Sequence, residues 1–145
     1  MIRRVLIGGW SGDSAGSQLA LTLLRMFTGL SMALAHGWGK MPPSERFIEG
    51  VGNMGFPFPV FFAYAAGLSE FAGGLLLAAG LLTRPSAFVI LITMLVAGLI
   101  RHADDPFSSM EKALLFAGIA LVFVVMGGGR YSVDHWLGKP RQDTA

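Results

Sequence analysis

FPVFFAYAAGLSEFAGGLLLAAGLL, residues Phe58 to Leu82, is an unbroken apolar run in which Glu70 is the sole charged side chain. At about 1.5 Å of rise per helical residue, roughly 20 residues cross a hydrocarbon core of about 30 Å, so this run can span a bilayer. Three further runs accompany it: from about Leu19 to Leu34 and on through Trp38, from Ser86 to Ile100, and from Ser109 to Gly127. None carries the polar face that a helix of a water-soluble bundle needs. With 53% hydrophobic and only 14% charged residues, the 145-residue chain has too little polar surface to cover a soluble domain. The fold class is therefore all-α, a four-helix transmembrane bundle in contact with the lipid bilayer.

The segments between the runs carry helix-boundary chemistry. Pro42, Pro43, Gly50, Gly52, Gly55, Pro57 and Pro59 separate the first run from the second. They predict a short interfacial helix around Ser44 to Met54 rather than a span. Thr83-Arg84-Pro85 reads as the tight connection between the second and third helices, with Pro85 suited to a first turn. Ser108 and Glu111 have the spacing of a capping box for the fourth. Gly127-Gly128-Gly129 stops it, and Ser132 reads as the cap of a short C-terminal helix carrying Trp136.

This spacing places a flexible cytoplasmic tail at 1–16, the membrane domain at 17–138 and a C-terminal tail at 139–145. Lys and Arg outside the spans divide six (Arg3, Arg4, Arg84, Arg130, Lys139, Arg141) against four (Lys40, Arg46, Arg101, Lys112), which puts both termini in the cytoplasm.

Function is sought at the charges inside hydrocarbon, which must face protein or water. Glu70 has Ala66, Gly67, Gly73 and Gly74 at helical spacing, so its face is small and points into the bundle. Arg25 lies on the most polar stripe of the first run, with Gln18, Thr22, Gly29, Met32 and His36. Measured from boundaries near Ser17 and Leu82, Arg25 is about 12 Å deep and Glu70 about 18 Å. That difference is within reach of an arginine stem, and the two are expected to pair, since a carboxylate–guanidinium pair best offsets the burial of each ion.

Two readings follow: a pair that locks the first two helices together, or a pair that contacts the polar head of a ligand such as a quinone or a lipid. A proton pathway ranks third, because two intramembrane charges make a short relay. His36 and Lys40 close the first helix and join Arg25 and Glu70 as candidate ligand-binding residues.

Other chemistries are excluded or unsupported. The chain has no cysteine, which removes thiolate nucleophiles, disulfide exchange and iron–sulfur ligation. The net charge of +2 is spread over loops, with no basic patch for nucleic acid. His36, His102, Asp104, Asp105 and Glu49 share one side of the membrane, but their spacing demands neither metal nor haem. The run from Gly127 to Arg130 follows a helix and lacks the residues of a phosphate loop.

In order, Arg25 with Gly29, Gly37 and Lys40, Gly55-Phe56-Pro57, Glu70 with Gly73-Gly74, Gly80-Leu81-Leu82-Thr83-Arg84 and Gly129-Arg130-Tyr131-Ser132-Val133-Asp134 make the chain resemble the DoxX-like membrane proteins from about Leu19 to Leu137. The resemblance implies a multi-pass protein of the bacterial inner membrane with a redox association, some relatives resembling subunits of a thiosulfate:quinone oxidoreductase. On that expectation the chain has no covalent cofactor, binds a quinone or lipid, and meets a redox enzyme subunit or a second copy of itself. The alternative is an assembly protein that recruits such a partner. Gly29, Gly73, Gly74, Thr83 and Arg84 are the candidate structural residues. Kinship with membrane redox proteins of the vitamin K epoxide reductase type does not carry thiol chemistry here, because the cysteines are missing.

Overall fold

The computed structural model describes residues 14–138, and all its regular elements are helical. Helix α1 covers Ala15–Leu30 and runs on through a π-helical segment, Ser31–Gly37, and a 3-10 turn, Trp38–Lys40. Helix α2 is the short helix Glu45–Asn53, α3 is Pro59–Ala79, and α4 is Thr83–Val96, prolonged by a π-helical turn, Ala97–Arg101. Helix α5 is Phe107–Met126 and α6 is Val133–Leu137. Four of these rods, Ala15–Lys40, Pro59–Ala79, Thr83–Arg101 and Phe107–Met126, are long and apolar enough to cross a membrane. The four-helix transmembrane bundle with a short helix after the first span and another at the C-terminal end is therefore what the chain forms.

The outer surface says the same. Phe27, Phe61 and Val125 are each at least 66% exposed, and Leu, Ile and Phe side chains cover the outside of all four rods. A water-soluble protein does not present an apolar surface of this extent. Inside, Met32, Leu77, Ala87, Ile90, Met94, Ala117, Ala120 and Phe123 form the core. Neighbouring rods follow chain order: α3 packs on α1 and on α4, and α4 packs on α5.

Small residues set the register of α1 against α3. A methyl group at Gly29 would meet the backbone of Gly74 and Ala78, and one at Gly37 would meet the backbone of Glu70 and Phe71. These are backbone-to-backbone contacts, of the kind that let helices associate in lipid. Their consequence is that Gly37 lies level with Glu70 and Gly29 level with Gly74, so Arg25 lies level with Gly80.

Several boundaries differ from the sequence expectation. Ser14 caps α1, accepting the Ser17 N–H, so the first helix begins inside the tail assigned to 1–16; residues 1–13 of that tail and the tail at 139–145 lie outside the described residues. Thr83, Arg84 and Pro85 belong to α4, and the connection from α3 is Gly80-Leu81-Leu82. The capping box at Ser108 does not form. Pro106 holds the cap position and Ser108 already lies in the first turn, where its hydroxyl cannot serve as the cap. Ser132 caps α6 as expected, accepting from the His135 N–H, and Ser44 caps α2, accepting from the Phe47 N–H.

Gly80 ends α3 with φ of 72°, in the left-handed region, and a methyl group there would overlap the Arg25 guanidinium and the Ser132 side chain. Gly80→Ala is therefore expected to destabilise the protein by roughly 1–3 kcal/mol through backbone strain, with the displacement of Arg25 in addition. The midpoint of denaturation by SDS in mixed micelles measures it.

Candidate functional site

The two intramembrane charges do not meet. Lys40 takes the place expected for Arg25: its ammonium nitrogen is 2.7 Å from each oxygen of the Glu70 carboxylate. The Glu70 side chain is 2% exposed and the Lys40 side chain 33%, so the pair is closed on the protein side and open at the lysine. Two of the three ammonium hydrogens are taken by Glu70, which leaves one donor toward the mouth. The Phe47 ring of α2 lies 5.4 Å from the same nitrogen, close enough for a cation–π attraction. The short helix thus sets one ring against the lysine and leaves its side chain one-third exposed.

The approach of α1 to Glu70 explains why this lysine reaches it. Gly37 brings the backbone of α1 against Glu70 and Phe71, and Gly67 leaves room for Met41 and the Lys40 carbonyl. The stretch that makes this approach, Ser31–Gly37, is π-helical, a departure from the α-helix that is frequent at functional sites. His36, in that segment, is half-buried and set edge-on to Phe116 of α5, with ring centroids 5.5 Å apart. Glu70, Lys40 and Lys112 are the charges within its electrostatic reach. Trp38, two positions before Lys40, is exposed and set edge-on to Phe71 at 5.5 Å. His36, Lys40 and Glu70 are therefore brought together, and Lys112, Phe47 and Phe116 complete the site.

Arg25 belongs to the opposite end of the bundle. It is 2% exposed, and Nη2 donates to the Tyr131 carbonyl at 2.8 Å, while Nε and Nη1 have no acceptor among the described residues. Around it the C-terminal segment forms a clasp. The two Asp134 carboxylate oxygens accept the backbone N–H groups of Leu82 and Thr83, both at 2.8 Å, and so cap the N-terminus of α4. The Asp134 N–H donates to the Gly80 carbonyl, and the Gln18 side-chain oxygen accepts from the Arg130 N–H. Burial by itself would raise the Asp134 carboxyl, but the hydrogen bonds of Thr83 and Leu82 and the Arg25 charge hold it below the ordinary aspartate range.

The candidate structural residues are distributed over both regions. Gly29 and Gly74 face each other across α1 and α3, and Gly73 faces Val89 and Ile90 of α4. Thr83 is buried beside Asp134, and Arg84 donates to the Val125 carbonyl near the end of α5. Asp134 was missed by local sequence reasoning because it caps a helix some fifty positions away. The signal available was its place at the end of the Gly129 to Asp134 motif.

Concavities on the described surface include two away from the Lys40–Glu70 pair. One is an apolar groove of about 340 Å³ between α3 and α4, lined by Leu68, Ser69, Gly73, Leu76, Pro85 and Val89. The other, about 390 Å³, lies at the clasp, with Gln18, Gly129, Arg130, Asp134 and His135 on its wall. Neither includes Lys40 or Glu70. No group of three or more metal-ligating side chains occurs among the described residues.

The family model described as DoxX matches residues 20–103. The chain is 36% identical over 110 residues to a protein named inner membrane protein YqjF from Escherichia coli (strain K12), a match covering 71% of this chain and 81% of that protein. No solved structure matches.

Proposed function

This chain belongs to the DoxX family, and from that premise and the Lys40–Glu70 geometry we propose that it is a multi-pass inner-membrane protein that binds the polar head of a quinone-like or lipid-like amphiphile, in association with an oxidoreductase. The observation that carries the reading is the polarised lysine. Glu70 fixes the ammonium with two hydrogen bonds and leaves its third donor at a mouth one-third open to the surroundings. A carbonyl or other acceptor oxygen placed there gains a charge-assisted hydrogen bond, and the apolar exterior of the rods suits a hydrocarbon tail. The named relative supports the location, and the family resemblance supports the redox association.

The consequence for binding is specific. In protein whose Trp10 and Trp136 are replaced by phenylalanine, Trp38 reports on the site, and a membrane-soluble naphthoquinone quenches its fluorescence. Glu70→Gln frees Lys40 from one of its two acceptors and unfixes the donor. The expected result is loss of saturable quenching in lipid nanodiscs, with the helical circular dichroism retained. Full saturable quenching by that variant contradicts the reading.

A second reading has one observation in its favour. Both Glu70 oxygens are bonded to Lys40 at the point where the first rod meets α3, as would hold if the pair only fixed α1 against α3. Unaltered quenching in Glu70→Gln, together with a large loss of stability in Lys40→Met, is the outcome that selects it.

A further inference from the structure

We propose that the concavity at the clasp seats the phosphate of an anionic phospholipid, with the Arg130 guanidinium as its direct partner and the buried Arg25 charge behind it. This site is at the opposite end of the bundle from Lys40, and the inference is independent of the ligand-binding reading above.

Charge is the first ground. Among the described residues the clasp end carries Arg25, Arg84 and Arg130 against the single acid Asp134. The other end carries Lys40, Arg46, Arg101 and Lys112 against Glu45, Glu49, Glu70, Asp104, Asp105 and Glu111. Residues 1–13 and 139–145 continue the chain from the clasp end and add four basic side chains to two acidic ones, so the basic excess there stands. The one described acid is already engaged: both Asp134 oxygens accept the N–H groups of Leu82 and Thr83. A basic excess gathered around a concavity at the end of a helix bundle suits an anionic headgroup.

The buried guanidinium is the second ground. Arg25 is 2% exposed, and its Nε and Nη1 have no acceptor among the described residues, so one hydrogen bond to the neutral Tyr131 carbonyl answers a full charge. A methyl group at Gly80 would touch both Arg25 Nη1 and Ser132 Cβ, which sets Ser132 against the guanidinium. Ser132 is itself part of the wall of the concavity. The Arg25 charge therefore acts on the concavity across a thin layer of low dielectric, and it offsets the repulsion that Asp134 exerts on a phosphate.

The walls and their level are the third ground. Arg130 and His135 are exposed wall residues whose side chains make no hydrogen bond or ion pair among the described residues. A guanidinium presents parallel N–H donors that match two phosphate oxygens. Tyr131 and Trp136, each next to one of these residues in the chain, are exposed rings of the kind that settle at the headgroup level. Leu19 beside Gln18 and Leu137 beyond His135 are exposed too, so apolar surface adjoins the concavity on the side where acyl chains run. A soluble anion makes no use of that surface.

The test uses Trp136 as the reporter, in the Trp10→Phe, Trp38→Phe protein held in dodecyl maltoside micelles. Phosphatidylglycerol and phosphatidylcholine with identical brominated acyl chains are titrated separately; the two differ in net charge, and bromine quenches the indole on contact. Phosphatidylglycerol is expected to quench saturably, with half-saturation at an about tenfold lower mole fraction than phosphatidylcholine. Arg130→Gln, at an exposed position outside the core, is expected to remove most of that preference while quenching by phosphatidylcholine is unchanged. Arg46→Gln, at the other end, is expected to leave both curves in place. Equal half-saturation for the two lipids overturns the inference, as does a preference that survives Arg130→Gln. An equal loss from Arg46→Gln overturns it too, by making the preference a matter of overall charge. Reversal of the quenching by glycerol phosphate at the concentration of the lipid overturns the lipid assignment and makes the concavity a site for a free phosphate.

Discussion

Lys40→Met is expected to destabilise the protein by about 3–5 kcal/mol, because it leaves the Glu70 carboxylate inside the bundle with no cation. The size follows from the asymmetry of the pair: Glu70 is 2% exposed, whereas Lys40 is one-third exposed. Glu70→Gln should cost far less, on the order of 1–2 kcal/mol, since the released ammonium can swing outward to the headgroup region while its stem stays on apolar surface. Adding Glu70→Leu to Lys40→Met should restore most of the loss, as an apolar pair of similar volume needs no desolvation. Unfolding by SDS in mixed micelles measures each arm. With the Glu70→Leu single variant completing the cycle, Lys40→Met and Glu70→Leu effects that add within about 0.5 kcal/mol would show that the two side chains do not interact.

Arg25→Ala should produce the second large effect, about 3 kcal/mol, and at the other end of the molecule. The substitution empties the volume under Gly80, removes the donor from the Tyr131 carbonyl and withdraws the positive charge that faces Asp134. Asp134→Ala removes the cap of α4, which is worth about 1–2 kcal/mol. If the clasp acts as one unit, the double variant costs less than the sum of the two.

The clasp also has a pH signature. The Asp134 carboxyl is held below its ordinary value in the folded protein, so its contribution is complete above about pH 3.9 and is lost as the pH falls below that through the folded value. Hydrogen exchange at the Leu82 and Thr83 amides, corrected for the intrinsic rate, should therefore show less protection at pH 3 than at pH 7. Unchanged protection there would separate Asp134 from the cap.

The parts of this architecture that depend on local chemistry were legible in the sequence. Four spans, the short helix after the first of them, the Ser132 cap and the inward direction of Glu70 all follow from hydropathy, side-chain capping and the glycines beside the acid. The partner of Glu70 was not legible, because depth was reckoned from chain boundaries. It assumed that Ser17 and Leu82 mark the same level. Gly29 and Gly37 set a different register, with the first ten residues of α1 running past the end of α3, about 15 Å of helix. That shift carries Arg25 away from Glu70 to Gly80 and the C-terminal segment, and brings Lys40 within its grasp.

A lysine at the end of an apolar run ordinarily snorkels outward. Here a buried carboxylate and the close approach at Gly37 turn it inward. The clasp was illegible for another reason: a cap supplied across the fold leaves no trace near Thr83. The two conspicuous motifs, Gly80 to Arg84 and Gly129 to Asp134, are halves of one hydrogen-bonded unit.

The distance between Lys40 Nζ and the Glu70 carboxylate carbon, measured by rotational-echo nitrogen–carbon recoupling on protein labelled at lysine Nζ and glutamate Cδ in bilayers, tests the arrangement most directly. A Lys40→Gln control identifies the pair. The structure, with both carboxylate oxygens 2.7 Å from the nitrogen, predicts strong dephasing that disappears in the control. No dephasing at Glu70 that depends on Lys40 would contradict it.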